Sequence, residues 1–144
     1  MIGDFKQWAQ PDLELPYDGR IYRVPAPTVE RAKAIIASAI RGEVGLGLVK
    51  GPVPPEVQAV LDSIGDSHPA LTDEVYAQMD ADGVPKESID RMAYYAVFYW
   101  ARSEQYADWI GKILWTPREG DASVAGDAAR KAASSRRRTS PRTA

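Results

Sequence analysis

The segment Met92-Ala93-Tyr94-Tyr95-Ala96-Val97-Phe98-Tyr99-Trp100-Ala101 consists only of apolar and aromatic residues. Ile89, Met92, Ala93, Ala96, Val97 and Trp100 follow helical spacing, yet the run is apolar around its whole circumference. A helix of that kind offers no face to water and is buried on every side. Met92–Ala101 is therefore expected to be the central core helix, and the rest of the chain must cover it. Lys86 to Trp115 reads as the dominant segment. Arg102-Ser103-Glu104-Gln105 breaks or bends it, and Tyr106, Trp109, Ile110, Ile113 and Leu114 continue an apolar face.

Covering elements can be read upstream. Leu13, Leu15 and Tyr17 alternate with polar neighbours, as do Ile21 and Val24 less regularly, and Asp18-Gly19 separates the two runs. Asp-Gly favours a type I′ turn, whose two central residues both need positive φ, so residues 12–25 are predicted to form a hairpin. Pro16 lacks an N–H, so either its strand is an edge strand or the proline points its missing donor outward. Two strands alone are marginal, so the hairpin must lie on helices. Ahead of it, Asp4 caps a short helix to Gln10 that carries Phe5 and Trp8.

Thr28 caps a helix to about Arg41, with Val29, Ala32, Ile36, Ala39 and Ile40 in a stripe. Gly42, Gly45, Gly47, Gly51 and the prolines after them read as a flexible crossing. Pro55 opens a helix bearing Val57, Val60, Leu61 and Ile64, stopped at Gly65 or Asp66. Leu71 to Met79 forms the next helix, stopped at Asp82-Gly83. There is no internal repeat. The fold class is mainly α with one N-terminal β-hairpin (α+β).

Charge divides the chain. From Pro117 on, seven bases face three acids, a net +4, whereas residues 1–116 hold 11 bases and 17 acids, a net −6. After Trp115 the only apolar residue larger than Ala is Val124. Such a segment cannot bury enough surface to offset the entropy of ordering. The expected organisation is a folded helical domain over 1–116 and a disordered basic tail over 117–144. The 144 residues support one compact domain.

Composition removes several chemistries. With no cysteine, disulfides, cysteinyl zinc sites, iron–sulfur clusters and thiol catalysis are excluded. No apolar run approaches the roughly 20 residues needed to cross a bilayer. The start lacks the basic-then-apolar order of a secretory signal, so a soluble, intracellular protein is expected. His68, the only histidine, precedes Pro69 and reads as an exposed loop residue. The pairs Asp73-Glu74 and Asp80/Asp82 look solvated, whereas acid–base work needs a perturbed carboxyl.

Asp80-Ala81-Asp82-Gly83 opens like a calcium loop, but Arg91 stands where the closing glutamate belongs. The glycines of 42–51 do not spell a phosphate cradle. No catalytic, cofactor-binding or metal-binding residues are assigned, no cofactor is implied, and an enzyme is the least favoured class.

The rings of 94–100 read as core packing, with tyrosine hydroxyls reaching the surface. A body of this size has limited interior, so Trp109, Trp115 or surplus rings are candidates for a self-association or partner surface. Arg136-Arg137-Arg138 resembles a basic arm for nucleic acid. It has no interleaved aromatics and follows an acidic body. A solubilising end is the preferred reading, and nucleic acid stays open for the tail only.

Three stretches carry a resemblance. They are Asp4-Phe5-Lys6-Gln7-Trp8 with Pro11 to Pro16 and Gly19 to Pro27; Val75-Tyr76-Ala77-Gln78-Met79-Asp80-Ala81-Asp82-Gly83-Val84-Pro85; and Ala96 to Trp100 followed by Glu104, Tyr106, Ala107 and Trp109. Together they resemble the tail assembly chaperones of long-tailed (siphovirus) phages infecting actinobacteria, over most of residues 4–110. Gly42–Ser67 departs from the pattern.

The resemblance implies a non-enzymatic protein of the host cell cytoplasm. It would bind the helical tape measure protein and keep it soluble until tail-tube subunits polymerise around it. Such chaperones are commonly made in two forms, the longer by a programmed frameshift, and a folded body with a low-complexity end fits the shorter. Trp109, Ile113 and Trp115 are the candidate partner-binding residues. The alternative is a structural virion component, such as a head–tail connector or tail-terminator protein.

Overall fold

The computed structural model describes residues 3–5, 9 and 11–115. Among them are one two-stranded antiparallel hairpin and five helices, the α+β arrangement expected. Of the expected helix over 4–10, residues 6–8, with Trp8, and residue 10 lie outside the described residues, as does the whole of the expected disordered tail over 117–144. Residues 1–110 form one compact unit, and a second opens at Gly111.

Strands β1 (Leu13–Tyr17) and β2 (Arg20–Val24) are joined by Asp18 and Gly19, at φ 50° and 81°. Both values are positive, as a type I′ turn requires. That two-residue turn sets the register, pairing Leu13 with Val24 and Leu15 with Tyr22. These four side chains are the buried set. Ile21, one of the imperfectly alternating apolar residues of the second run, is 58 % exposed, and Tyr22 takes the inner position. The cause is parity: a fixed register sends alternate residues to one face, whatever their hydropathy. Glu14 and Arg23 pair at 2.9 Å across the ladder.

Helix α1 (Val29–Gly45) starts at Thr28, whose Oγ1 accepts from the Arg31 N–H at 3.3 Å. It runs beyond Arg41, through glycines expected to end it. Gly42 is a point of close approach rather than a stop. A Cβ there would stand 3.0 Å from both Phe98 Cζ and Tyr94 Oη. The buried residues of α1 are Ile35, Ala37, Ala39 and Glu43. Of the expected stripe, Val29 and Ile36 are exposed, Ile36 at 45 %. Ile35 and Ile36 stand about 100° apart on the helix, and it is Ile35 that meets the hairpin cluster while Ile36 stays at the surface.

Arg31 staples this helix to its neighbours. Its Nε donates to the Pro69 carbonyl at 2.9 Å, and Nη1 donates to those of Pro25 and Ala26 at 3.2 and 3.4 Å. Helix α2 (Pro55–Ile64) has proline at its first position and stops at Gly65, φ 62°. Helix α3 (Asp73–Ala81) begins two residues after Leu71, at a Thr72 cap, and ends at Asp82, with Gly83 at φ 79°. His68, expected to be an exposed loop residue, is half-buried. Its ring stacks on Tyr76 at 3.8 Å, a favourable covering for two flat faces.

Helix α4 (Lys86–Ala101) and helix α5 (Glu104–Trp115) meet at Arg102-Ser103. Ala96 and Phe98 are buried and the other residues from Met92 to Ala101 are half-buried, so the helix is central to the packing but is not closed from solvent on every side. Two apolar clusters share it. One joins the hairpin, Ile35, Leu71, Val75, Met79, Val84, Ile89 and Ala96. The other joins Ala39, Phe98, Ala107 and Ile110. The hairpin is fastened to the α3–α4 corner. Tyr22 Oη donates to Asp82 Oδ2 at 2.8 Å, and Tyr17 Oη donates to Ser88 Oγ at 3.3 Å.

Candidate functional site

Among the described residues, the end of α4 and the first turns of α5 carry the densest side-chain hydrogen bonding to a buried charge. At Arg102 the backbone leaves the helix (φ −124°, ψ −88°), and Ser103 Oγ accepts from the Tyr106 N–H at 3.1 Å to start α5. Ser and Thr caps work this way because a short hydroxyl reaches a free N–H of the first turn. The corner is gripped from α1. Glu43, only 4 % exposed, accepts from Arg102 Nη2 at 2.8 Å through Oε1. Its Oε2 accepts from Arg102 Nε at 3.0 Å and from Tyr106 Oη at 2.8 Å.

The guanidinium fork matches a carboxylate edge to edge, giving direction as well as charge. Its hydrogen bonds hold the Glu43 carboxyl below the usual range, against burial, which pushes it up, and with help from Tyr106. A second tie is Tyr95 Oη donating to Asp108 Oδ1 at 2.7 Å.

Tyr106 links this buried network to the surface. Its ring meets Phe98 edge-on at 5.7 Å and tilts against Trp109 at 5.8 Å. Trp109 is 47 % exposed. In the second unit, Ile113 is 61 % exposed, and Trp115 is half-buried with its ring over Gly111, at 3.4 Å from where a Cβ would be. Of the three candidate contact residues, the structure joins Trp109 to the Glu43 network.

Sequence reasoning missed Glu43 because it lies among glycines taken for a crossing. The signal was present: Ile35, Ala39 and Glu43 recur at intervals of four, extending the stripe to a carboxylate. Arg102, the first charge after the apolar run, was its natural partner.

Two clefts lie elsewhere in the first unit. One of ≈ 270 Å³ between α1, α2 and α4 is lined by Ser38, Arg41, Leu61, His68 and Tyr94, among others. A more open one of ≈ 570 Å³ is bordered by Arg31, Lys33, Val60, Asp73 and Glu74. Arg31 Nη2 and Trp100 Nε1 are buried without a hydrogen-bond partner. Among the described residues no three His, Cys, Asp or Glu side chains are grouped to hold a metal ion. No described helix is long and apolar enough to cross a membrane.

Fold and site together define a small α+β domain whose last described helix shows a half-exposed indole braced by a buried carboxylate. The chain belongs to the family described as domain of unknown function DUF7426, whose pattern matches residues 3–144. None of the curated proteins and none of the solved structures compared with the chain matches it.

Proposed function

We propose that the protein is a phage tail assembly chaperone that binds the tape measure protein and keeps it soluble while the tail is built. The reading rests on the motif resemblance over most of residues 4–110. The structural observation that carries it is Trp109, a large ring left 47 % exposed on a braced helix. Exposed aromatic anchors of this kind are where binding energy concentrates in protein interfaces. A long helical client offers apolar ridges at three- and four-residue spacing, and an apolar helix face can cover them one segment at a time. Ile113, exposed, and Trp115, half-buried, are the further contacts in this proposal. Action in the host cytoplasm before tail-tube subunits polymerise follows from the same reading.

The test is co-expression with the tape measure protein. Trp109→Ala should lose co-purification and client solubility, with affinity down about 30-fold if the ring is worth about 2 kcal/mol. Unchanged client recovery would overturn the assignment. A chaperone should also be absent from purified mature particles by mass spectrometry, whereas a connector or tail-terminator protein would be retained.

A further inference from the structure

We propose that Glu43 is a positioning residue for the Trp109 surface, acting through Tyr106. The inference rests on the client-binding reading above and adds what sets the shape of that surface. Glu43 is the one charged side chain among the buried described residues. A carboxylate is an expensive occupant of such a place, and an apolar residue of similar volume often serves stability as well or better. What a carboxylate adds is direction. Three donors converge on two oxygens, two of them from the residue that ends α4 and one from the first turn of α5. The corner angle and the place of Tyr106 are thereby set from α1, outside the α4–α5 pair itself.

Tyr106 passes that constraint outward. Its hydroxyl is held by Glu43, one side of its ring is closed by the fully buried Phe98, and the ring then forms the wall against which the Trp109 indole rests. An indole with that much exposure and no wall would sample several rotamers and would have to be ordered on binding. Holding it in advance removes that cost, which corresponds to about three- to tenfold in affinity for one side chain.

The test uses the full chain labelled with 5-fluorotryptophan, the Trp109 resonance being assigned by Trp109→Phe. Tyr106→Phe deletes one hydroxyl, keeps the ring and leaves the Glu43–Arg102 pair whole. Glu43→Gln removes the charge. In both variants, without any client, the Trp109 fluorine resonance should shift and change width while that of Trp100 stays in place. Binding of peptides tiling the tape measure protein should weaken about three- to tenfold in Tyr106→Phe.

An unmoved Trp109 resonance in Tyr106→Phe overturns the positioning role, even if Glu43→Gln proves too unstable to study. A moved resonance with unchanged peptide affinity overturns the link to binding. If the wild-type chain binds no tape measure peptide, the chaperone reading fails, while the fluorine spectra still decide whether Glu43 and Tyr106 hold Trp109.

Discussion

Gly42→Ala sets two effects of known size against each other. Within a helix, alanine is favoured over glycine by about 1 kcal/mol, so on propensity alone the change stabilises α1. The new methyl would stand 3.0 Å from Phe98 Cζ and from Tyr94 Oη, and 3.4 Å from Tyr94 Cε1. That is about half an ångström inside comfortable carbon contact. Phe98 has little room to yield. It is fully buried, with Tyr94 edge-on at 5.0 Å and Tyr106 at 5.7 Å. Overpacking of this kind costs about 1–3 kcal/mol, so the sum should be a net loss of about 1 kcal/mol.

Gly45→Ala is the matched control. It lies on the same helix, and nothing stands within 4 Å of its added Cβ. It should gain from a few tenths up to about 1 kcal/mol. Denaturant melts followed by far-ultraviolet circular dichroism would read the difference, about 1.3–2 kcal/mol between the two variants. Thermal midpoints should separate by roughly 4 °C or more per kcal/mol. A Gly42→Ala protein as stable as the wild type would refute the argument that α1 and α4 approach too closely for a side chain.

Two further predictions concern pH. Because Arg102 holds the Glu43 carboxyl below its ordinary value of 4.5, the stability from this group is complete above that value and lost as pH falls through the lower folded one. Glu43→Gln should therefore flatten the acid limb of the stability profile, and superimposable acid limbs would count against the network. At the other end, burial first and then the bond to Asp108 push Tyr95 well up, and burial also raises Tyr94 and Tyr106. Their contribution is complete below the ordinary value of 10.0 and is lost as pH rises past it toward the higher folded values. Near-ultraviolet phenolate absorbance should show part of the seven tyrosines ionising only as helical signal disappears. Ionisation of all of them near pH 10 in an intact fold would contradict their burial.

Features with a local cause were legible from the residues. Asp18-Gly19 states its own backbone requirement, Thr28 names a cap by its hydroxyl, and the apolar run Met92–Ala101 marks the helix around which both clusters pack. Features that depend on a distant partner were not. The imperfect alternation of Ile21 and Val24 does not say which residue turns inward until the register pairs Tyr22 with Leu15 on the inner face. Gly42 reads as a helix stop until Phe98 is set against it. Glu43 sits among glycines that read as a crossing, and its partners Arg102 and Tyr106 stand about 60 positions on, so the four-residue stripe that leads to it gains meaning only when they meet. Trp109 was nameable as a surplus aromatic, but its neighbour Ile110 on the same apolar face is buried, and only the packing tells the two apart.

The sharing of α4 between two clusters has a consequence for how residues 1–110 come apart. Phe98 belongs to one cluster and Ala96 to the other, two residues apart on one helix. Opening either cluster by unwinding α4 removes a wall from the other, so the cost of a partial opening approaches that of losing both. Fluctuations should then collect where α4 is not involved, at the Asp18-Gly19 turn and along the 46–54 connection, while the amides of Met92–Ala101 exchange with solvent only when the whole unit melts. A load applied at Trp109 would be borne by the hairpin core as well as by its own.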